Sequence, residues 1–293
     1  MDFVILDLEW NGSYSKKIKG YINEIFEFGA VRINSDMQVV DTFSMLIKPQ
    51  ISKKISSRVQ ELTHINTDEL LNTNNTYNHV IKEFSIFAKD AIILTWGITD
   101  IHTLIVNNEY YNKTKRLSFL HQYINLQSYC ENCMDREDPS KQMGLSTAAE
   151  LLGIDFGDDN LHRALDDSLL SYKCFAKLYD ENKVKKFIRE ADNDFYNRIC
   201  FRNVAITDFN NPLVDKKQFY SVCPQCGRKG RRLTKWQIKN KGFRSTFHCD
   251  YCNLKFNGKV IFKLKYEGVQ VKHSSRVYVE AENKPVQSQS KIN

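Results

Sequence analysis

Two carboxylates interrupt an apolar run near the start of the chain: in VILDLEW, residues 4–10, Asp7 and Glu9 stand one residue apart. On a β-strand, alternate side chains leave the same face, so the two acids sit side by side. Burying unpaired charge is costly, and crowded carboxylates raise each other's pKa unless a cation lies between them. The run therefore demands a buried first strand that carries a divalent-metal site of hard oxygen ligands. Such a site in turn suggests phosphate chemistry.

The hydrophobic pattern around that strand alternates between periods of two and of 3.6 residues. Residues 3–8, 24–34 and 42–47 read as strands, with Asn34–Ser35–Asp36 as a turn, giving an antiparallel meander that leads into a mixed sheet. Pro49 ends the third strand. Residues 56–71 hold two short helices broken at Asn66 and Thr67, and Tyr77–Phe87 has helical spacing at Val80, Ile81, Phe84 and Phe87. The short apolar run 91–95 predicts a central strand, after which Asp100 opens a helix through Val106. Residues 119–126 predict the last sheet strand, with a helix starting in Leu126–Cys133. A helix over 146–152 is expected to be capped by Ser146 and ended by Gly153. Residues 162–179 form the longest periodic stretch. Alternating strands and helices over about 180 residues define an α/β domain.

Asp100, in WGITD, falls at a strand-to-helix junction, where α/β proteins gather functional groups. In LHRALDD, His162 and Asp166 are four apart on one helical face and Asp167 is five from His162. Asp7-x-Glu9, EIFEFGAV, WGITD, GLSTAAELLGI and HRALDD together resemble the DEDDh family of 3′→5′ exonucleases, with its ribonuclease H-like fold. The resemblance covers roughly residues 1–180. It implies that the family's four carboxylates fall on Asp7, Glu9, Asp100 and Asp167 and its histidine on His162, the separation of five selecting Asp167 over Asp166. The loop LIKPQISKKISSRVQELTHIN is similar to that of members acting on short RNA ends, such as the Eri-1-like exoribonucleases.

The resemblance further implies two Mg²⁺ (or Mn²⁺) ions about 4 Å apart, with Asp7 bridging them, Glu9 and Asp167 holding one and Asp100 supporting the other. His162 is then the general base, suited by an ordinary pKa near neutrality. Hydrolysis releases a nucleoside 5′-monophosphate and leaves a new 3′-hydroxyl. Trp10 departs from the family pattern, in which many members have a small or hydroxyl residue beside the terminal nucleotide. Trp10, Trp96 and the segment 62–65, with Leu62 and His64, are candidates to surround the terminal base and sugar; core packing is an equal reading for Trp96 and Leu62. Lys53, Lys54 and Arg58 are either backbone contacts or a solvated basic turn.

Two Cys-x-x-Cys pairs, Cys223/Cys226 and Cys249/Cys252, are separated by 22 residues, with Gly227 just after the first. The array predicts one structural Zn²⁺ in a small β-rich module resembling a zinc ribbon. Between Lys216 and Arg276 there are 16 Lys/Arg against Asp250 and Glu267 alone, whereas the whole chain carries +7, so the remaining residues sum to −7. An acidic body joined to a basic appendage fits a domain that holds cations and a module that holds a polyanion. Arg231, Arg232, Lys235 and Trp236 are its candidate nucleic-acid contacts, with Phe243 as a second ring. Cys130-x-x-Cys133 lacks partners nearby and is not read as a metal site; Cys174 and Cys200 read as ordinary buried or half-buried residues.

The expected organisation is an exonuclease domain over 1–182, a helical connector over 183–199, a basic zinc-ribbon-like nucleic-acid-binding domain over 200–280 and a disordered tail over 281–293. The start MDFVILDLE has no signal-peptide pattern, and no run is long enough to cross a bilayer. Cytoplasmic location and no membrane partner are expected. The partner is nucleic acid, RNA favoured over single-stranded DNA; a homodimer and a protein partner at the zinc module stay open. The competing classes are a non-catalytic nucleic-acid or protein adaptor on a nuclease fold and a DNA-proofreading subunit of a polymerase.

Overall fold

The apolar run of residues 3–8 lies inside strand β1 (Phe3–Ser15). Its two faces enter two different cores. Val4, Leu6 and Leu8 pack with α3 (Tyr77–Phe87) and α4 (Thr99–Asn112), while Phe3 and Ile5 pack with α5 (Leu126–Cys133), α6 (Leu145–Leu151) and α7 (Ala164–Leu178). A one-residue slip would exchange these faces and forfeit about 1.5–3 kcal/mol for each large side chain it exposed. The register is therefore fixed by burial on both sides. The computed structural model describes residues 1–52, 54–134, 141–156 and 163–278, and the chain divides into two compact units, Met1–Cys200 and Phe201–Asn293. The expected tail over 281–293 lies outside the described residues.

In the first unit β1 pairs antiparallel with β2 (Gly20–Ile33), which pairs antiparallel with β3 (Val39–Leu46). On its other side β1 runs parallel to β4 (Ile92–Thr95), and β4 parallel to β5 (Gln122–Asn125). With β6 (Arg189–Glu190), the strand order is β3-β2-β1-β4-β5-β6, with helices on both faces. The two-residue β6 takes the edge. The strand expected over 119–126 is thus shorter and is not the last. Leu117, Phe119 and Leu120 are instead spent in the α3–α4 core. Residues 183–199, expected as a connector, belong to this unit through α8 (Glu181–Phe187), β6 and α9 (Asn193–Ile199), whose Phe195 and Tyr196 are buried.

The short helices start where side chains cap them. Ser56 and Asn66 accept from Val59 and Glu69 N–H at the starts of α1 (Ser57–Thr63) and α2 (Thr67–Asn72), which accounts for the break at residues 66–67. At α6 the expectation fails: Gly144 is the N-cap and Ser146 lies within the first turn. The start is fixed one step earlier, because the Met143 carbonyl accepts from Trp96 Nε1 at 3.2 Å and Gln127 Nε2 at 2.7 Å while its N–H donates to Glu131.

The second unit is an antiparallel sheet. Its path is β12-β11-β10-β8, formed by β8 (Arg231–Arg232), β10 (Phe243–Cys249), β11 (Leu254–Lys265) and β12 (Gly268–Val277). β7 (Val204–Ile206) pairs β11 and β9 (Gln237–Ile238) pairs β10. Phe243, Phe247, Phe256, Val260 and Phe262 fill its core. Phe243 and Trp236, expected as exposed rings, are packed instead: Phe243 is fully buried, and the Trp236 ring lies 5.2 Å from Phe219 and 5.5 Å from Phe247. The alternation Phe243–Ser245–Phe247–Cys249 assigns one face of β10 to the core.

Candidate active site

Along β1 the sequence Phe3, Ile5, Asp7, Glu9 occupies one face. The first two residues are core; the next two pass beyond the carboxyl ends of the parallel strands and line a cavity of about 400 Å³. Asp100 and Asp167 line the same cavity, together with Leu8, Trp10, Trp96, Thr99, Leu145 and Ser146. Carboxylate oxygens of Asp7, Glu9 and Asp167 lie within 4.8 Å of one another. Asp100, 5% exposed, sits in the first turn of α4 and is held by hydrogen bonds from its own N–H and that of Leu8. The four acids gathered from across 160 residues of sequence thus face one space.

Close approach of α7 to the sheet brings Asp167 there. Gly29 pairs with Asp7 on β2, and a Cβ on it would stand 2.0 Å from the backbone of Ala164 and Leu165. Only glycine lets the helix settle so low. Ser168 Oγ then donates to the Gly29 carbonyl at 2.9 Å. Glu27, buried and directly across from Glu9, accepts from Arg163 Nε at 3.0 Å, from Arg163 Nη2 at 2.8 Å and from Ala164 N–H at 3.3 Å. Its carboxylate serves a helix start that lacks a side-chain cap of its own.

Sequence reasoning missed Glu27 and Arg163. The signal was an acid inside the apolar run EIFEFGAV, the same signal that flagged Asp7. Glu24 in that run is also buried, but it serves the fold. It accepts from Gln50, Ile51 and Ser52 N–H and from the Tyr111 hydroxyl, fixing the segment that leaves β3.

The electrostatics of the cavity are those of acids crowded together under burial. Burial, then the charges of Asp100, Asp167 and Glu9, hold Asp7 well above the ordinary carboxylate range. Burial, followed by Asp167 and Glu27, pushes Glu9 up to about 8, against a smaller opposing pull from Arg163. Burial raises Asp100 to about 7 despite its two backbone hydrogen bonds. A divalent cation among hard oxygens reverses each of these penalties, so the donor set fits such an ion.

Trp10 and Trp96 both line the cavity, each with part of its ring in a core. Leu62 and His64 do not. They end α1, Leu62 exposed and His64 in the left-handed region at φ 56°. Thr99, Leu145 and Ser146 are lining residues that sequence reasoning did not assign to the site. His162 lies outside the described residues, as does Lys53.

In the second unit the Sγ atoms of Cys223, Cys226, Cys249 and Cys252 lie within 4.8 Å of one another. Each pair is followed by a left-handed residue, Gly227 at φ 72° and Asn253 at φ 51°, and the Gly227 N–H donates back to the Cys223 carbonyl at 2.9 Å. Hydrogen bonds, first from the Cys252 N–H, lower Cys249 to about 7. Four such sulfurs suit a soft tetrahedral ion. Arg231 is paired with Asp250 at 3.2 Å, and Arg232 and Lys235 are exposed. Elsewhere, burial pushes the Cys130 thiol far up and Cys174 to about 11. Among the described residues, no helix is long and apolar enough to cross a membrane.

The RNase T exonuclease family profile matches residues 4–175. The chain belongs to this exonuclease family, and the first unit is a 3′→5′ exonuclease domain by that membership. A Bacillus subtilis protein named probable 3′-5′ exonuclease KapD is 30% identical over 185 residues, 61% of this chain and 85% of that one. The 3′-5′ exoribonuclease 1 of Rattus norvegicus is 27% identical over 157 residues. That match takes in 50% of this chain and 44% of the relative, so less than half of the rat protein's length is represented. The DNA polymerase III epsilon subunit of Aquifex aeolicus is 28% identical over 181 residues, 61% of this chain and 81% of that subunit. Among solved structures, the nuclease domain of 3′hExo, a DEDDh family member bound to rAMP, aligns with a TM-score of 0.52 at 22% identity. It covers 65% of this chain and 96% of its own and shares the fold.

Proposed function

We propose that the chain hydrolyses nucleic acid from its 3′ end, releasing nucleoside 5′-monophosphates, with RNA preferred to single-stranded DNA. The reading is carried by one observation: Asp7, Glu9, Asp100 and Asp167 line a single cavity, and burial with mutual repulsion raises the first three, an arrangement that burial disfavours and a cation favours. Asp7, Glu9 and Asp167, with Asp100 in support, are the residues that would hold two Mg²⁺ or Mn²⁺. Such ions supply charge neutralisation at the scissile phosphate and a more acidic attacking water.

The chain's own residues do the rest. His162, one residue before the Glu27-anchored Arg163, accepts the proton of the attacking water on an imidazole nitrogen. The water oxygen bonds to phosphorus, the bond from phosphorus to the 3′-oxygen breaks, and that oxygen leaves with the bonding pair and takes a proton from solvent to become the new 3′-hydroxyl. Trp10 and Trp96 bracket the terminal base and sugar. Glu27 and Arg163 are positioning residues that set where α7 begins.

In the second unit we propose one structural Zn²⁺ on Cys223, Cys226, Cys249 and Cys252, and a nucleic-acid-binding role for the basic sheet. Thiolate ligands suit a compartment that keeps cysteines reduced, which favours the cytoplasm. The preference for RNA draws on the exoribonuclease relatives, whereas the polymerase III epsilon relative keeps DNA as the competitor.

A 5′-labelled oligonucleotide assay in Mg²⁺ tests the reading, with RNA and DNA of one sequence in competition. Stepwise shortening by the wild type, faster on RNA, and none by Asp7→Ala is expected. Tight binding without shortening by the wild type, in Mg²⁺ or Mn²⁺, would instead identify an adaptor.

A further inference from the structure

The alternation that buries Phe243, Phe247, Phe256, Val260 and Phe262 turns every lysine and arginine of β10, β11 and β12 to the opposite face, and these strands contain no Asp or Glu. Arg244, Lys259 and Ser274 are cross-strand partners in one rung of the sheet; Thr246, Asn257 and Arg276 form the next. Directly opposed side chains stand about 5 Å apart, so the three cations converge. A cleft of about 360 Å³ opens where they meet, lined by Arg244, Asn257, Lys259, Ser274 and Arg276, with no acid among its lining residues. Arg244 Nε is buried there without a hydrogen-bond partner. An orphaned, charged donor among hydroxyls and an amide is relieved by an anion with several acceptor oxygens.

We infer that this cleft takes the phosphodiester backbone of a nucleic-acid strand, and that the open face of β10–β12, rather than the loops around the cysteines, is the second unit's contact surface. The inference rests on the proposed nucleic-acid-binding role of that unit and names its site. Lys255, Lys263 and Lys272 continue the same face beyond the cleft, which favours a polyanion over a single phosphate. Outside β10–β12, Arg231 pairs with Asp250, Arg228 lies 3.5 Å over the Tyr251 ring, and Trp236 packs against the core.

The test uses the full chain in an Asp7→Asn background, so that short single-stranded RNA and DNA stay intact, and measures anisotropy across a salt series. Two triple variants are compared, Arg244→Gln/Lys259→Gln/Arg276→Gln on the sheet and Arg228→Gln/Lys229→Gln/Lys235→Gln in the loops. The sheet variant is expected to lose at least about tenfold in affinity and about 2 units of the slope of log K against log salt, at ~0.7 per phosphate contact; the loop variant should change little. Unchanged zinc content and circular dichroism certify the fold, and Lys259→Gln alone, expected to lose about 0.7 of slope, serves if the triple variant fails that check. Loss confined to the loop variant would overturn the assigned face and leave nucleic-acid binding standing. No loss in either variant, with salt-independent binding, would remove the binding role itself.

Discussion

Strands β1 and β11 line up like charges by the same device, alternation, and burial makes the outcomes opposite. On β1, Asp7 and Glu9 continue a face begun by Phe3 and Ile5 and end in a cavity where burial raises both. On β11, Lys255, Lys259 and Lys263 alternate with Phe256, Val260 and Phe262 and point outward. Water and salt screen the second row, so its repulsion costs little. Enclosed charges are individually indispensable and call for a counter-ion, whereas open ones act by their sum. Substitutions in the first row should therefore be abrupt in effect and those in the second graded.

The largest effect is expected at Asp7. Asp7→Asn should lower single-turnover hydrolysis in Mg²⁺ by about 10³-fold or more, yet raise the melting temperature of the metal-free protein by removing a buried acid crowded by other acids. Retention of a tenth of the activity would break the contrast. Next, Cys249→Ser or chelation should melt the second unit's packing. Trp236, held between Phe219 and Phe247, should then report the loss in near-ultraviolet circular dichroism.

Gly29→Ala should come third. Its Cβ meets the Ala164 backbone at 2.0 Å, so α7 must lift. Urea denaturation should show a loss of about 1–3 kcal/mol, and turnover should fall with it as Asp167 withdraws.

A smaller effect, in the metal-free protein, follows pH. Glu9 and Asp100 titrate near 8 and 7 when folded, against ordinary values of 4.5 and 3.8. The folded form thus binds protons more tightly than the unfolded chain. Its stability contribution is complete below about pH 4 and is lost as pH rises through 7 and 8. The metal-free melting temperature should fall by roughly several degrees between pH 5 and 8.5; Mg²⁺ should flatten the profile, and a profile equally steep with Mg²⁺ would count against a shared cation. Smallest of all, Lys255→Gln should weaken oligonucleotide binding less than about threefold, by removing a single phosphate contact.

Much of this was legible in the chain because local rules decided it. The acids of VILDLEW declared themselves by sitting among residues that must be buried, and helix Tyr77–Phe87 by its spacing. Features set by distant partners stayed hidden. Glu27 matters because it stands across from Glu9 and because α7, which begins 137 residues later, lies against Gly29. Ser146 looked like a cap until the Met143 carbonyl, pinned by Trp96 and Gln127, set the helix start. Trp236 stands beside Lys235 and looked exposed, but the aromatic cluster of its unit claims it. The two-residue strand β6 carries no periodicity to read.

Calorimetric titration of Mn²⁺ into the zinc-loaded full chain near neutral pH, with wild type and Asp7→Asn compared in two buffers of different ionisation enthalpy, interrogates the shared cation most directly. Saturable uptake accompanied by proton release, abolished in Asp7→Asn at unchanged zinc content, is the predicted result. Equal uptake by both proteins, or none by the wild type even with a nucleoside monophosphate present, would contradict it.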